Sequence, residues 1–289
     1  MGKKTATTVK RVVAEKMIDK IIAIYCLCDD LLKGLHHRQD VQQKMSDAEV
    51  MTTAIIAAMY FSGNFVKASE LMRIFIPGML SRSRFNRRLH RIEPILLTLL
   101  QCLGEHWKGL NIGSVYSIDS FPISVCDNIR ISRSKIYRGE EYRGFQASKK
   151  RYFYGVKIHL MVTEKGEPVE FFISPGAFAD VNALQVFDFD LAPDSVVYAD
   201  KAYNHYEQED LLLEASQIKL SAMRKKNFTR PVADYVQYLQ NAKRKVIETT
   251  GSLISQMLPK SFHAVTAKGF ELKVMLFTLA LSVNQWVAT

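Results

Sequence analysis

The sequence predicts an α/β fold: a mixed sheet flanked by helices, preceded by an all-helical N-terminal domain. Apolar residues recur at helical spacing up to about residue 110. After Gly113 the period shortens to that of strands, and short apolar runs then alternate with helical ones. At 289 residues and 48% hydrophobic, the chain can bury a sizeable core and has length enough for two domains. Domains are therefore expected at 1–110 and 111–289.

In the first of these, Ile18, Ile21, Ile22, Tyr25, Leu32 and Leu35 form one apolar stripe. Ser46-Asp-Ala-Glu49 is a capping box, so a helix should start there and run to about Tyr60, where Ser62-Gly63-Asn64 breaks it. A second helix is expected from about Lys67 to Phe75, ended by Pro77-Gly78, and a third from Ser81. Three short helices with tight turns fit a helix-turn-helix-like unit. The third reads Ser81-Arg-Ser-Arg-Phe-Asn-Arg-Arg-Leu-His-Arg91. Phe85, Leu89 and Ile92 should face the core, and Arg84, Arg87, Arg88 and Arg91 fall on another face. Such a face is either solvated or set against phosphates, and the helix-turn-helix setting favours DNA. A further helix is expected over Pro94–Trp107.

In the second, Val115–Asp119 is a short strand ending in a carboxylate. Tyr152–Thr163 and Val169–Ser174 form a hairpin about Glu164–Pro168. Ala179–Phe187 reads as a helix. Ser195–Asp200 repeats the strand-then-aspartate theme. A helix at Tyr206–Ala215, a strand at Ile218–Ala222 and a long helix at Val232–Met257 follow.

The charge balance is +10, from 39 Lys and Arg against 29 Asp and Glu, which favours a polyanionic partner. The N-terminal stretch is polar and basic, unlike a signal peptide. Val274–Val283 is apolar but too short to span a bilayer, so it reads as a buried helix and nucleic acid becomes the better partner than a membrane. Cys26, Cys28, Cys102 and Cys126 match neither zinc nor disulfide spacing, and are expected as reduced thiols of a cytoplasmic protein.

Aspartate is a poor strand residue and costly to bury unpaired. Adjacent strands would bring Asp119 and Asp200 to one sheet edge, where two anions need a cation between them. Their oxygens suit Mg²⁺, and Mn²⁺ would also fit. Glu248, with Arg244 and Asn241 on its helix face, supplies a third carboxylate, enough for two ions. Between the first strands, residues 128–151 form a basic insert that includes Lys149, Lys150 and Arg151, interleaved with Tyr137, Tyr142 and Phe145. This is either a solvated loop or a DNA-contacting one, and its departure from the Asp119 strand favours DNA.

Four blocks carry a resemblance: Tyr116-Ser-Ile-Asp-Ser-Phe-Pro122, Tyr154-Gly-Val-Lys-Ile-His-Leu160, Tyr198-Ala-Asp-Lys-Ala-Tyr203 and Arg244-Lys-Val-Ile-Glu248. In this order they resemble the blocks of bacterial insertion-sequence transposases of the Asp-Asp-Glu type, and insertion-sequence family 982 in particular. The resemblance implies a ribonuclease-H-like sheet with Asp119, Asp200 and Glu248 as catalytic metal ligands. It also implies cleavage at transposon ends, strand transfer into target DNA, and a homodimer on double-stranded DNA carrying terminal inverted repeats, in a bacterial cytoplasm at the nucleoid. Lys201, Tyr203, Asn241 and Arg244 would meet DNA. Lys157 and His159, on one strand face, would contact phosphate or else serve the strand itself. Related families carry Tyr and Lys where this chain has Asn241 and Ser255. A nuclease without strand transfer and an inactive DNA-binding regulator are the alternatives.

Overall fold

The computed structural model describes residues 2–146, 149–224 and 229–289, the side chains of residues 2–14 excepted. The chain divides into two compact units. One comprises Met1–Leu100, Met257–Pro259 and Leu272–Thr289, and the other Gln101–Gln256 and Lys260–Glu271. The C-terminal helix thus groups with the N-terminal helices, which no reading in chain order anticipates.

The first unit is helical. Helix α1 (Gly2–Gly34) buries Ile21, Ile24, Cys28 and Leu32. The expected stripe was displaced, because Ile18, Ile22, Tyr25 and Leu35 are exposed. Helix α2 (Asp47–Phe61) begins with the capping box: Ser46 accepts from the Glu49 amide and Glu49 accepts from the Ser46 amide. It ends at Ser62 in a left-handed cap, and it is buried on every side from Val50 to Ala58. Helices α3 (Phe65–Met72) and α4 (Arg82–Arg91) meet through Phe65 and Phe85, whose ring centroids are 5.6 Å apart. The unit is completed by helix α8 (Ala267–Ala288), whose residues from Val274 to Val283 are almost wholly buried. Among the described residues no helix is long and apolar enough to cross a membrane.

Phe85, Leu89 and Ile92 are buried, as their spacing requires. The four arginines do not act as one face. Arg84, Arg87 and Arg91 are exposed, but the Arg88 guanidinium turns inward onto Asp47 at 2.7 Å, and also bonds the Gln43 side chain and the Met45 carbonyl. Sequence spacing could not reveal this partner, because Asp47 sits 41 residues away on another helix.

The second unit holds a six-stranded mixed sheet in the order β2-β3-β1-β5-β6, with β4 also paired to β3. The strands are β1 (Val115–Cys126), β2 (Arg143–Gln146), β3 (Arg151–Thr163), β4 (Pro168–Pro175), β5 (Val196–Ala199) and β6 (Lys219–Ala222). Strands β1, β3 and β4 form an antiparallel meander, and β5 and β6 add to β1 in parallel. Helices α5 (Glu93–Leu110), α6 (Tyr206–Ser216) and α7 (Asp234–Met257) complete the chain order. The mixed sheet flanked by helices is consistent with a ribonuclease-H-like core. Two details differ from expectation. Asp119 lies within a twelve-residue strand and not at its end. The segment Asp180–Gln185 is a 3-10 turn and not an α-helix.

Arg88 and Asp47 are both nearly buried, so removing Arg88 leaves the Asp47 charge to the His37 imidazole, 2.8 Å away. Arg88→Ala should lower the unfolding free energy by about 3 kcal/mol, whereas Arg84→Ala, Arg87→Ala and Arg91→Ala should each stay within about 0.5 kcal/mol. Urea denaturation of the four variants checks this.

Candidate active site

Register puts the two aspartates level. In the parallel β1–β5 pair, Ser117 lies opposite Tyr198, so Asp119 and Asp200 each follow two residues further on. Side chains alternate along a strand, which places both on the face that Ser117 and Tyr198 occupy. Tyr198 in turn pairs with Ser221 of β6, and Met223 follows that serine by the same two residues. Two rows therefore cross the sheet: Ser117, Tyr198 and Ser221, then Asp119, Asp200 and Met223.

Helix α7 lies over these rows. The Ser117 hydroxyl donates to the Lys243 carbonyl at 3.3 Å, and Gln240 donates to the Ser221 hydroxyl at 3.1 Å. Small serines in the first row allow this approach. The helix is held from outside as well. Lys243 pairs with Glu164 at 3.2 Å, and Thr250 donates to the Gly166 carbonyl at 3.1 Å. Gly166 is the turn residue of the β3–β4 hairpin, with φ +89. A Cβ there would stand 2.7 Å from the Thr250 hydroxyl, so both the conformation and the space call for glycine.

One turn beyond Gln240, Arg244 comes to rest over the second row. Its Nη2 is 3.6 Å from Asp119 Oδ2 and 3.0 Å from Glu248 Oε1, and its Nη1 is 3.6 Å from Asp200 Oδ1. Nη1 also contacts the Met223 sulfur at 3.4 Å. The three carboxylates that the sequence singled out thus converge on a single guanidinium. Their exposure increases outward, from 25% for Asp119 to 39% for Asp200 and 53% for Glu248. Asp119 accordingly bears the desolvation. Burial pushes its carboxyl up to about 6, against the Ser120 amide and Arg244, while Asp200 and Asp180 add to the rise. Among the described residues no three His, Cys, Asp or Glu side chains stand close enough to hold a metal ion. The guanidinium fills the place between the acids.

A sequence-family profile described as "Transposase DDE domain" matches residues 109–260, more than half of the chain and the whole span from Asp119 to Glu248. The chain belongs to the transposase DDE domain family. No curated protein and no solved structure compared with it gave a match.

Within this transposase domain, several expected DNA contacts turn inward. His159 is fully buried, bonded through Nε2 to the Ser174 hydroxyl at 2.8 Å and stacked on Phe172. Burial holds its imidazole down at about 4, with smaller opposing effects of Asp180 and Lys157, so it is neutral and out of reach of phosphate. Lys157 is spent on Asp180 at 3.0 Å and on the Phe178 carbonyl at 2.9 Å. Tyr203 is also fully buried, under the Asp200 turn, where burial and the neighbouring Asp180 and Asp119 raise its phenol well above the ordinary value. Lys201 and Asn241 are exposed, and the Asn241 amide donates to the Gln237 carbonyl at 2.9 Å.

The sequence reading missed Asp180. It accepts the Ser120 hydroxyl at 2.6 Å and the Lys157 ammonium, and so fixes the residue next to Asp119. An aspartate opening a short helical turn carries the same signal as any capping residue, so nothing in the sequence marks it.

The basic insert splits in two. Tyr137 and Tyr142 pack against each other as tilted rings with centroids 4.5 Å apart, and Tyr137 donates to Glu271 at 2.7 Å. Phe145 and Tyr152, paired across β2 and β3, are exposed, as are Lys149, Lys150 and Arg151. Residues 147 and 148 lie outside the described residues. An open pocket of about 520 Å³ is lined by Asn128, Ile129, Ile131, Ser132, Arg143 and Tyr152. Leu160 pairs with Asp119, and Tyr152 precedes it along β3 by a distance on the order of 27 Å at ~3.4 Å per residue. The exposed basic end is therefore far from the carboxylates.

His159 and Asp119 give the unit opposite pH responses. His159 is protonated in the unfolded chain below about 6.5 but not in the fold until about 4, so its contribution is full above 6.5 and lost as pH falls through that window. Asp119 binds its proton more readily in the fold, so its ionisation removes stability as pH rises from 3.8 to about 6. Urea titrations at a series of pH values should show that His159→Gln loses less stability than the parent between pH 6.5 and 4, by up to about 3 kcal/mol. Parallel curves would show that the buried imidazole does not govern this response.

Proposed function

We propose that this transposase domain cleaves DNA at transposon ends and transfers the resulting 3′ ends into target DNA, using Asp119, Asp200 and Glu248 as ligands for divalent ions. The observation that carries the reading is the convergence of these three carboxylates on one cationic group, within the region that matches the family. The donor set fits Mg²⁺ or Mn²⁺: three acidic oxygen donors, one of them in a site where burial disfavours its charge unless a cation compensates it. When bound, such ions activate the attacking oxygen and stabilise the leaving one. The chain's own residues set the geometry. The sheet holds the two aspartates level, α7 brings the glutamate over them, and Asp180 fixes Ser120 beside Asp119.

For DNA contact we assign the exposed Arg84, Arg87 and Arg91 of α4, Lys201 next to Asp200, Asn241 on α7, and Lys149, Lys150 and Arg151 at the far end of β3. We assign Arg88 to supporting α4 and not to DNA, because its charge is already matched. We read α2 to α4 as the helix-turn-helix-like unit that recognises terminal inverted repeats, with the protein acting as a homodimer because two ends must meet. The finer kinship to insertion-sequence family 982 rests on the four sequence blocks.

Two tests follow. On a plasmid carrying the gene with its flanking DNA, Asp119→Asn, Asp200→Asn and Glu248→Gln should each reduce Mg²⁺-dependent cleavage by at least about a hundredfold, with DNA binding kept. Pre-cut ends supplied with a supercoiled target should give joined product; cleavage that persists in Asp119→Asn sinks the assignment. Separately, replacing Lys149, Lys150 and Arg151 together with Gln should flatten the salt dependence of DNA binding by roughly 2–3 phosphate equivalents. That change should appear only on duplexes extending at least about eight base pairs from the cut, at ~3.4 Å per base pair. An unchanged slope removes the insert from the interface.

A further inference from the structure

Arg244 reaches all three carboxylates at once, and it is held there loosely. Charge-assisted N–H···O bonds close to about 2.7–2.9 Å, yet its contacts to Asp119 and Asp200 are both 3.6 Å. Only the bond to Glu248, at 3.0 Å along its own helix, approaches that range. Its Nε is buried with no hydrogen-bond partner among the described residues, and Nη1 meets a thioether sulfur, a weak acceptor. The contrast is with Arg224, whose Nε likewise lacks a partner among the described residues but whose two Nη groups close on Glu209 at 2.6 and 2.5 Å. Arg244 instead fills a space between acids that would repel one another without it.

Resting on the metal-ion reading above, we infer that Arg244 is an internal counter-ion that occupies the divalent-ion site in the DNA-free protein and is drawn onto a DNA phosphate when the substrate binds. The carboxylates then lose their resident cation as the phosphodiester arrives. Divalent ions and DNA consequently enter together, and each strengthens binding of the other by the same factor. Arg244 is thus a positioning residue: it keeps the acids gathered before the ions come and clamps the backbone afterwards. Both states use the same fork of donors, which matches two carboxylates or one phosphate equally well.

The test measures Mn²⁺ binding to the full-length protein by loss of the free-ion paramagnetic resonance signal, without and with duplex DNA. Without DNA, Arg244→Gln should bind Mn²⁺ at least about tenfold more tightly than the parent. Lys245→Gln, the same charge change one residue on and exposed, should stay within about threefold. DNA should tighten Mn²⁺ binding of the parent by at least about tenfold and that of Arg244→Gln much less. If Arg244→Gln fails to fold, Arg244→Lys carries the test. A single ammonium cannot span Asp200 and Glu248 together, so Mn²⁺ binding should again tighten. An Arg244 variant that folds and binds Mn²⁺ no better than the parent overturns the counter-ion role while leaving the metal reading in place. Absence of Mn²⁺ binding from every form, with DNA as without it, overturns the metal reading and the counter-ion with it. Asp119→Asn placed in the Arg244→Gln background should abolish the gain; a gain that survives locates the ion elsewhere and also overturns the proposal.

Discussion

Like charges will not gather unaided, and the catalytic half of this protein is organised around that constraint. Three carboxylates from β1, the end of β5 and α7 share one guanidinium. For that to occur, α7 has to lie close over the sheet at one particular height. Two serines open the space, and the β3–β4 turn closes it from outside through Glu164 on Lys243 and Gly166 on Thr250. A bulky residue at Ser117 or Ser221 would lift the helix, and Glu248 and Arg244 would leave the aspartates together. The acids depend on a packing detail one row beneath them.

The same arrangement sets Asp119 apart from its partners. It is the least exposed of the three, and it accepts the Ser120 backbone amide. Burial dominates over Arg244, so the net effect raises its affinity for a proton. A site that holds a carboxylate under such conditions is short of positive charge. That deficit is a local loss of stability, and it is also what makes the place attractive to a cation with more charge than an arginine.

Much of this was legible from residue patterns, and the reasons are physical. Strand alternation and helix period depend on neighbours in sequence, so the capping box at Ser46, the β3–β4 hairpin and α7 were all within reach. Two apolar runs each ending near an aspartate suggest a paired acidic site because aspartate is costly in a strand, although Asp200 also caps the turn that follows it by accepting the Lys201 amide. What remained hidden was the destination of individual cations and rings. Arg88 sits in the same helical row as three exposed arginines, yet Asp47 captures it. Lys157, His159 and Tyr203 share blocks with the acidic residues but face Asp180, Ser174 and the interior. Long-range partners decide these cases, and no local spacing encodes them. The C-terminal helix illustrates the same limit at larger scale: its apolarity announces burial, but not burial among the N-terminal helices.

The Arg-x-x-x-Glu spacing on α7 draws these strands together. A separation of four residues puts Arg244 and Glu248 one turn apart, where they pair along the helix. Taken alone, that is an ordinary surface ion pair of little energetic weight. Over a sheet that presents two level aspartates, the same pair becomes a device with two parts. On the proposed metal-ion reading, the glutamate would complete the set of oxygen donors, and the arginine would neutralise that set until something more highly charged replaced it. The distance between the carboxylates and the exposed basic end of β3 would then, on the same reading, give the domain two separate tasks. Chemistry would be confined to the face beneath α7, while the exposed Lys149, Lys150 and Arg151 would hold a flanking stretch of duplex without adding charge to the acidic site. Were those cations close to Asp119, they would compete for the carboxylates as Arg244 does, and the acids would be neutralised whether or not DNA was present.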